Sequence, residues 1–113
     1  MKYRQRDIVE VNFLFPDGTL KMHPAIIISN NELQEDEFGL VYLVLITSNL
    51  ELNPKYSYPL KNEMLLSHSF EKPSVVKCQI IAGYTERDII RRLGSVRLKY
   101  FDEIVDKVIE SVF

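Results

Sequence analysis

The chain lacks the features that mark several classes of protein. Cys78 is the only cysteine among 113 residues, which excludes an internal disulfide and leaves too few thiolates for a zinc cluster. The net charge of −2 does not indicate a nucleic-acid partner, so any RNA or DNA contact requires a local basic patch. No apolar run is long enough to span a membrane, and the charged start Met1–Arg4 lacks the apolar core of a secretion signal. We therefore expect a cytoplasmic protein with no membrane association, no metal and no other cofactor.

What is present indicates one small globular domain over residues 1–113. Hydrophobic residues make up 46% and charged residues 27%, the balance of a folded soluble protein. The length suits a single core and not two ordinary domains. No internal repeat, low-complexity tract or linker divides the chain.

Strand patterns occupy the first half. Val9, Val11, Phe13 and Phe15 alternate on one face of an opening strand, and Pro16–Thr19 predicts a turn. Because proline cannot donate to a ladder, we expect Pro24 to begin the second strand, whose segment 25–28 is apolar on both faces and so covered on both sides. A polar loop is predicted over 30–37, followed by a buried strand over 40–46 that ends at 47–49.

The second half continues with strands and ends in a helix. Residues 56–60 predict a strand at a sheet edge because Pro59 interrupts it, and 75–82 predict another strand. Thr85 is expected to cap one helical turn that runs through Ile90 and is stopped by Gly94. From about Leu98, a helical stripe is formed by Phe101, Val105, Val108 and Val112, widened by Ile104 and Ile109. Together these elements predict a mainly β fold, a compact antiparallel β-barrel closed by a C-terminal helix.

Five segments occur in the order and at about the spacing of a known family. They are Arg6–Phe13, His23–Asn30, Leu45–Ser48, Lys72–Cys78 and Arg91–Val96. In the order and spacing of these segments, the chain resembles the PemK/MazF family of toxin endoribonucleases. The resemblance implies a small Src-homology-3-like barrel of the CcdB/PemK kind, a homodimer, and a cognate antitoxin protein whose disordered tail wraps over the RNA groove.

The resemblance also implies metal-independent cleavage of single-stranded RNA by attack of its own 2′-hydroxyl. That reaction needs a base for the hydroxyl proton, an acid for the leaving 5′-oxygen and a donor for the phosphorane charge. In the family, an arginine and a threonine or serine hydroxyl supply much of this. Here His23 stands at the arginine position, and Thr47 and Ser48 stand at the hydroxyl position. Gln79 and Ala82 stand where the family carries an acid and a second arginine.

Each candidate residue has a second interpretation. Imidazole can act as base or acid near neutral pH, but His23 can equally be a surface residue of a site that has lost its activity. Thr47 and Ser48 can contact the scissile phosphate or simply cap a turn. Lys21, on the same strand face as His23, and Lys77 are predicted to bind substrate phosphates, although a solvated lysine has the same pattern. Gln79 is predicted to hydrogen-bond a base edge.

Two further features favour a structural interpretation. His68, in the predicted loop before residue 75, could approach the groove from that loop, but a plain exposed histidine is the favoured interpretation. The arginine cluster is expected to be a solvated face near the short helix; its members are Arg87, Arg91 and Arg92.

Three functional classes follow. The first is the toxin component of a type II toxin–antitoxin system, an endoribonuclease in which His23, Thr47 and Ser48 carry catalysis. The second is a catalytically degenerate PemK-like module that binds nucleic acid or protein through the same groove, which the losses at Gln79 and Ala82 favour. The third is a topoisomerase poison like CcdB, in which the C-terminal helix carries function; it has least support, since the matching motifs belong to the ribonuclease branch.

Overall fold

The computed structural model of the chain describes residues 2–15, 17–50 and 53–113. The strands are β1 (Asp7–Leu14), β2 (Leu20–Ile27), β3 (Leu40–Thr47), β4 (Ser57–Leu60), β5 (Leu65–Leu66), β6 (Ser74–Thr85) and β7 (Ile89–Val96). The helices are α1 (Asn31–Asp36) and α2 (Leu98–Val112), and short 3₁₀ turns lie at Pro54–Tyr56, Asn62–Met64 and Glu86–Asp88.

All seven strands belong to one curled antiparallel sheet in the order β4-β6-β3-β2-β1-β7-β5. This confirms the predicted mainly β fold with a C-terminal helix; the sheet forms a half-barrel with β4 and β5 at its edges. The edge position of β4 matches the prediction from Pro59, because an edge strand needs no N–H on its open side.

Apolar side chains pack on both faces of the central strands. On one face, Ile8, Ile26 and Val44 pack with α2, and on the other Val9, Ala25 and Leu43 form a second cluster. The predicted double burial of residues 25–28 is confirmed for Ala25, Ile26 and Ile27, which are all buried, whereas Ile28 follows the strand and is half-buried. These three residues fix β2 rigidly between β1 and β3.

The helix α2 begins where predicted, but its buried stripe is narrower. Phe101, Ile104 and Val108 are buried at i, i+3 and i+7, whereas Ile109 and Val112 are exposed. Helix α2 lies mainly against β6, and Tyr58 of β4 donates its hydroxyl proton to Glu103 at 3.0 Å. Burial and this carboxylate raise the pKa of Tyr58 to about 12.

The loop predicted over residues 30–37 is wrong, because the segment contains α1. The Asn30 side chain accepts a hydrogen bond from Leu33 N at 2.8 Å, which caps the helix, and the Gln34 side chain is buried beneath it. A six-residue helix has little apolar periodicity, so the asparagine cap was the only local signal.

The helical turn predicted from Thr85 through Ile90 to Gly94 is also mostly wrong. A capping box between Thr85 and Asp88 does start a 3₁₀ turn, but Ile89–Val96 is strand β7. Gly94 lies within that strand, at a point where β7 passes close to the end of β5. A Cβ added at residue 94 would lie 2.8 Å from Leu66 O.

The second strand begins at Leu20 and not at Pro24, which is a further correction. Pro24 lies inside β2 opposite Glu10 of β1, and the ladder between β2 and β3 starts only at Ala25 opposite Leu45. The missing N–H thus falls where β2 has one paired neighbour instead of two. In the predicted turn, Pro16 lies outside the described residues, and Thr19 N and Oγ1 both donate to Asp17 Oδ1.

Candidate active site

A cleft opens at the place where β2 and β3 separate. Beyond Ala25 and Leu45 the two strands no longer pair, although β2 extends back to Leu20 and β3 runs on to Thr47. The cleft has a volume of about 500 Å³, within the range of ligand-binding clefts. Its polar lining includes Glu10, His23, Thr47, Ser48, His68 and Arg91.

His23 and Thr47 both line this cleft. Each lies two residues beyond the last pair of the ladder, Ala25 opposite Leu45, where the two strands have separated. His23 Nδ1 lies 3.5 Å from Ile46 O, a long contact, and the Phe15 ring packs edge-on against the imidazole at 5.3 Å between centroids. His23 is half-buried, so it borders the cleft while its ring packs against an aromatic side chain.

The contact with Ile46 O favours the tautomer that carries the proton on Nδ1. When Nδ1 carries the proton and faces the carbonyl oxygen, Nε2 keeps its lone pair and can accept a proton. A neutral imidazole in that tautomer is suited to act as a general base in the cleft.

The two hydroxyl groups differ in their local bonding. Thr47 Oγ1 accepts a hydrogen bond from Asn49 N at 3.1 Å, so the turn-capping interpretation of Thr47 is confirmed. Its own proton remains available for donation to an anionic oxygen. Ser48 is exposed at the same cleft, and its hydroxyl has no hydrogen-bond partner within the described ranges.

A cross-strand ion pair lies at the cleft. Arg91 Nε on β7 lies 3.2 Å from Glu10 Oε1 on β1, and the neighbouring Arg92 Nε lies 3.0 Å from Asp7 Oδ1. The predicted solvated face is confirmed, because Arg87, Arg91 and Arg92 are all exposed, but Arg91 and Arg92 lie on β7.

The three predicted substrate-binding residues lie outside this cleft. Lys21 is exposed on β2, two residues from His23, and Gln79 is exposed on β6. Lys77 lines an adjoining groove with Phe13 and Phe15. Because Phe15 also contacts the imidazole, this groove adjoins the cleft at His23.

A bulge in β6 leaves Gln79 and its two neighbours without a pairing partner on β3. Val44 pairs with Ile81 but Leu45 pairs with Lys77, so residues 78–80 have no partner on β3. Cys78 is fully buried within this bulge, and burial raises the pKa of its thiol to about 11. Cys78 is thus a packing residue and not a nucleophile.

His68 contradicts the prediction of a plain exposed histidine. It is half-buried, it lines the cleft, and its ring packs edge-on against Phe70 with centroids 4.8 Å apart. Neither imidazole nitrogen of His68 has a hydrogen-bond partner in the described part of the chain. No local sequence signal places His68 here, since its position depends on the pairing of β5 with β7.

The described residues contain neither a cluster of metal-binding side chains nor a membrane-spanning helix. In 2–15, 17–50 and 53–113, no three metal-binding side chains of the His, Cys, Asp or Glu type lie close together. Neither α1 nor α2 has the length and apolar content needed to cross a bilayer.

Comparisons with known proteins agree with this fold. The sequence pattern of the family described as "PemK-like, MazF-like toxin of type II toxin-antitoxin system" matches residues 4–112. The structure is similar to a MazE-MazF complex from Deinococcus radiodurans (TM-score 0.73, 17% identity, 100% of both chains covered). It is also similar to the toxin MazF-mt6 of Mycobacterium tuberculosis (0.66, 18% identity, 95% of this chain and 92% of that one). An endoribonuclease in complex with its cognate antitoxin from a mycobacterial species matches with TM-score 0.70 and 15% identity, over 96% and 93% of the two chains.

A comparison with curated protein sequences gave no match. At these identities the solved structures establish the shared fold, and the sequence pattern covers almost the whole chain. The protein therefore belongs to the PemK-like, MazF-like family of toxins of type II toxin–antitoxin systems.

Proposed function

We propose that this protein cleaves single-stranded RNA in the cytoplasm without a metal ion, as the toxin of a type II toxin–antitoxin pair. The observation that carries the proposal is that His23, Thr47 and Ser48 line one cleft in a member of this toxin family. A base and two donors are the groups that attack by a 2′-hydroxyl requires.

In the proposed reaction, His23 Nε2 takes the proton of the 2′-hydroxyl. The 2′-oxygen attacks phosphorus, and the charge on the phosphoryl oxygens is stabilised by hydrogen bonds from Thr47 and Ser48. The bond to the 5′-oxygen then breaks, which leaves a 2′,3′-cyclic phosphate and a 5′-hydroxyl once that oxygen gains a proton.

The basic and amide side chains outside the cleft are proposed to hold the flanking nucleotides. Lys77 supports this role because its groove adjoins the cleft through Phe15, whose ring offers a surface on which a base can stack. Lys21 is proposed to contact a backbone phosphate and Gln79 a base edge, since both are exposed.

Two protein partners are part of the proposal. We expect a homodimer, and we expect a cognate antitoxin to bind this chain. The solved complexes of MazE with MazF and of the mycobacterial endoribonuclease with its antitoxin support the second expectation.

A non-catalytic binding module is the alternative. It is favoured by Ala82 and Gln79, which stand where the family carries charge: Ala82 pairs with Leu43 in the sheet, and Gln79 is uncharged. In that case the cleft would bind RNA or a protein without cutting.

The test is cleavage of a random-sequence single-stranded RNA library in EDTA by the wild-type protein and by His23→Ala. We expect cut products from the wild type and a loss of about 10²- to 10⁴-fold in His23→Ala, with a nearly unchanged melting temperature. Lys61→Ala is a matched surface control that should cut normally. Uncut RNA with measurable RNA binding would favour the binding module instead.

A further inference from the structure

We propose that His68 is the second proton-transfer group of the cleft, the acid that protonates the leaving 5′-oxygen. This inference rests on the proposed ribonuclease function. His68 borders the cleft from the loop between β5 and β6, whereas His23 borders it from β2, so the two residues line the same cleft from different elements. Both of the chain's histidines line this one cleft.

The backbone beneath His68 is held by close packing against β7. Leu66 pairs with Ser95, and a Cβ added at Gly94 would lie 2.6 Å from His68 Cβ and 2.8 Å from Leu66 O. Ser67, between them, has a φ of +60°, a conformation that a non-glycine residue keeps only when its surroundings impose it. The position of His68 is therefore set by the sheet and not by a free loop.

A second clamp fixes the residues that follow. Asn62 bonds the backbone of Phe70 twice, accepting from its N–H at 2.8 Å and donating to its carbonyl at 3.1 Å. Phe70 in turn presents its ring to the imidazole at an interplanar angle of 88°. One face of His68 is thus packed, while both nitrogens remain free to bind substrate.

The proposed reaction still lacks a general acid for the leaving 5′-oxygen, and His68 can fill this role. His23 as base and the hydroxyls of Thr47 and Ser48 as donors provide no group that gives up a proton to the 5′-oxygen. An imidazolium transfers its Nδ1 or Nε2 proton to that oxygen as the phosphorus–oxygen bond breaks, and the neutral ring remains. The charged groups that share the cleft are Glu10 and Arg91, which pair with each other, and Glu71 and Lys72 on the loop itself.

The experiment compares two leaving groups. An RNA oligonucleotide with one cut site mapped with the wild type is made with the normal 5′-oxygen, and again with a bridging sulfur in its place. Because a thiolate leaves without protonation, removal of the acid should matter only for the normal RNA. We expect His68→Ala and His68→Gln to slow cleavage of the normal RNA by about 10²- to 10⁴-fold, yet to cut the sulfur-containing RNA within about tenfold of wild type. His23→Ala should slow both substrates, because it removes the base.

Each other outcome overturns the proposal in a distinguishable way. If both His68 variants cut the normal RNA at the wild-type rate, His68 is not catalytic although the ribonuclease function stands. If they slow both substrates equally, with or without a lower melting temperature, His68 has a positioning or packing role. If the wild type cuts neither RNA, the proposed function fails and the acid assignment fails with it.

Discussion

The two halves of strand β2 differ sharply although they are continuous. Residues 25–27 pair with β1 and β3, are buried on both faces and join two apolar clusters. Residues 20–24 pair only with β1, and Leu20, Lys21 and Met22 are exposed. One half of the strand is core, and the other is the edge of a cleft.

This difference suggests how the protein separates stability from chemistry. A strand anchored at one end by packing can hold the imidazole at its other end in a fixed place without burying it. The cleft then needs no apolar contacts of its own, so its polar groups remain available to a substrate. Substitutions in the two halves should accordingly affect different measurements.

The largest effect should come from Ile26→Ala. Ile26 is fully buried, and removal of its side chain should lower the free energy of unfolding by about 3 kcal/mol. Met22→Ala is the matched control, since Met22 lies on the same face of the same strand but is exposed, and it should cost less than about 0.5 kcal/mol. Urea denaturation followed by circular dichroism measures both, and similar costs for the two variants would refute the division of β2.

A smaller effect on stability is expected from substitution of the two arginines of β7, whose ion pairs differ in burial. Arg92 pairs with Asp7, whose side chain is only 8% exposed, and Arg91 pairs with Glu10 at the cleft. Arg92→Met should destabilise by about 1–2 kcal/mol, because it leaves a buried carboxylate with fewer partners. Arg91→Met should cost less than about 1 kcal/mol, as exposed ion pairs do. Denaturation at low and high salt measures the loss of stability in both variants. A larger loss for Arg91→Met than for Arg92→Met would contradict this prediction.

Local pattern predicted the elements of the core better than those of the cleft. Alternation identified β1, continuous apolar runs identified β2 and β3, and helical spacing identified α2, because the pattern of burial is imposed on the sequence. The pairing of Glu10 with Arg91 joins residues 81 positions apart, and two register shifts between β1 and β7 determine it. No local sequence pattern predicts that register.

The candidate site came partly from resemblance and partly from the fold. His23, Thr47 and Ser48 were singled out by family resemblance, and the structure brings them to one cleft. The sequence favours an exposed His68, since histidines on loops generally lie at the surface, whereas the constraint that places His68, the close passage of Gly94, belongs to another strand. Helix α1 was missed because six residues show no period, so only the cap at Asn30 marked it.

The smallest change in stability, and the most direct test of why β2 divides where it does, is expected from Pro24→Ala. The new N–H at residue 24 should donate to Ile46 O, extend the ladder to β3 and displace the His23 imidazole from that carbonyl. The gained hydrogen bond of about 1 kcal/mol is offset by the greater freedom of the unfolded chain, about 0.4–1 kcal/mol, so stability should change little.

Cleavage should nevertheless fall in Pro24→Ala, because His23, the proposed base, loses the contact that favours its tautomer. Amide hydrogen exchange should show protection at residue 24, and RNA cleavage should be measured on the same sample. Pro59→Ala, on the edge strand β4, is the matched control and should leave cleavage unchanged. An amide at residue 24 that exchanges freely, together with normal cleavage, would mean that the end of the ladder is set by the twist of the sheet and not by proline. The separation of core from cleft would then be a property of the fold itself, which other side chains at position 24 would preserve.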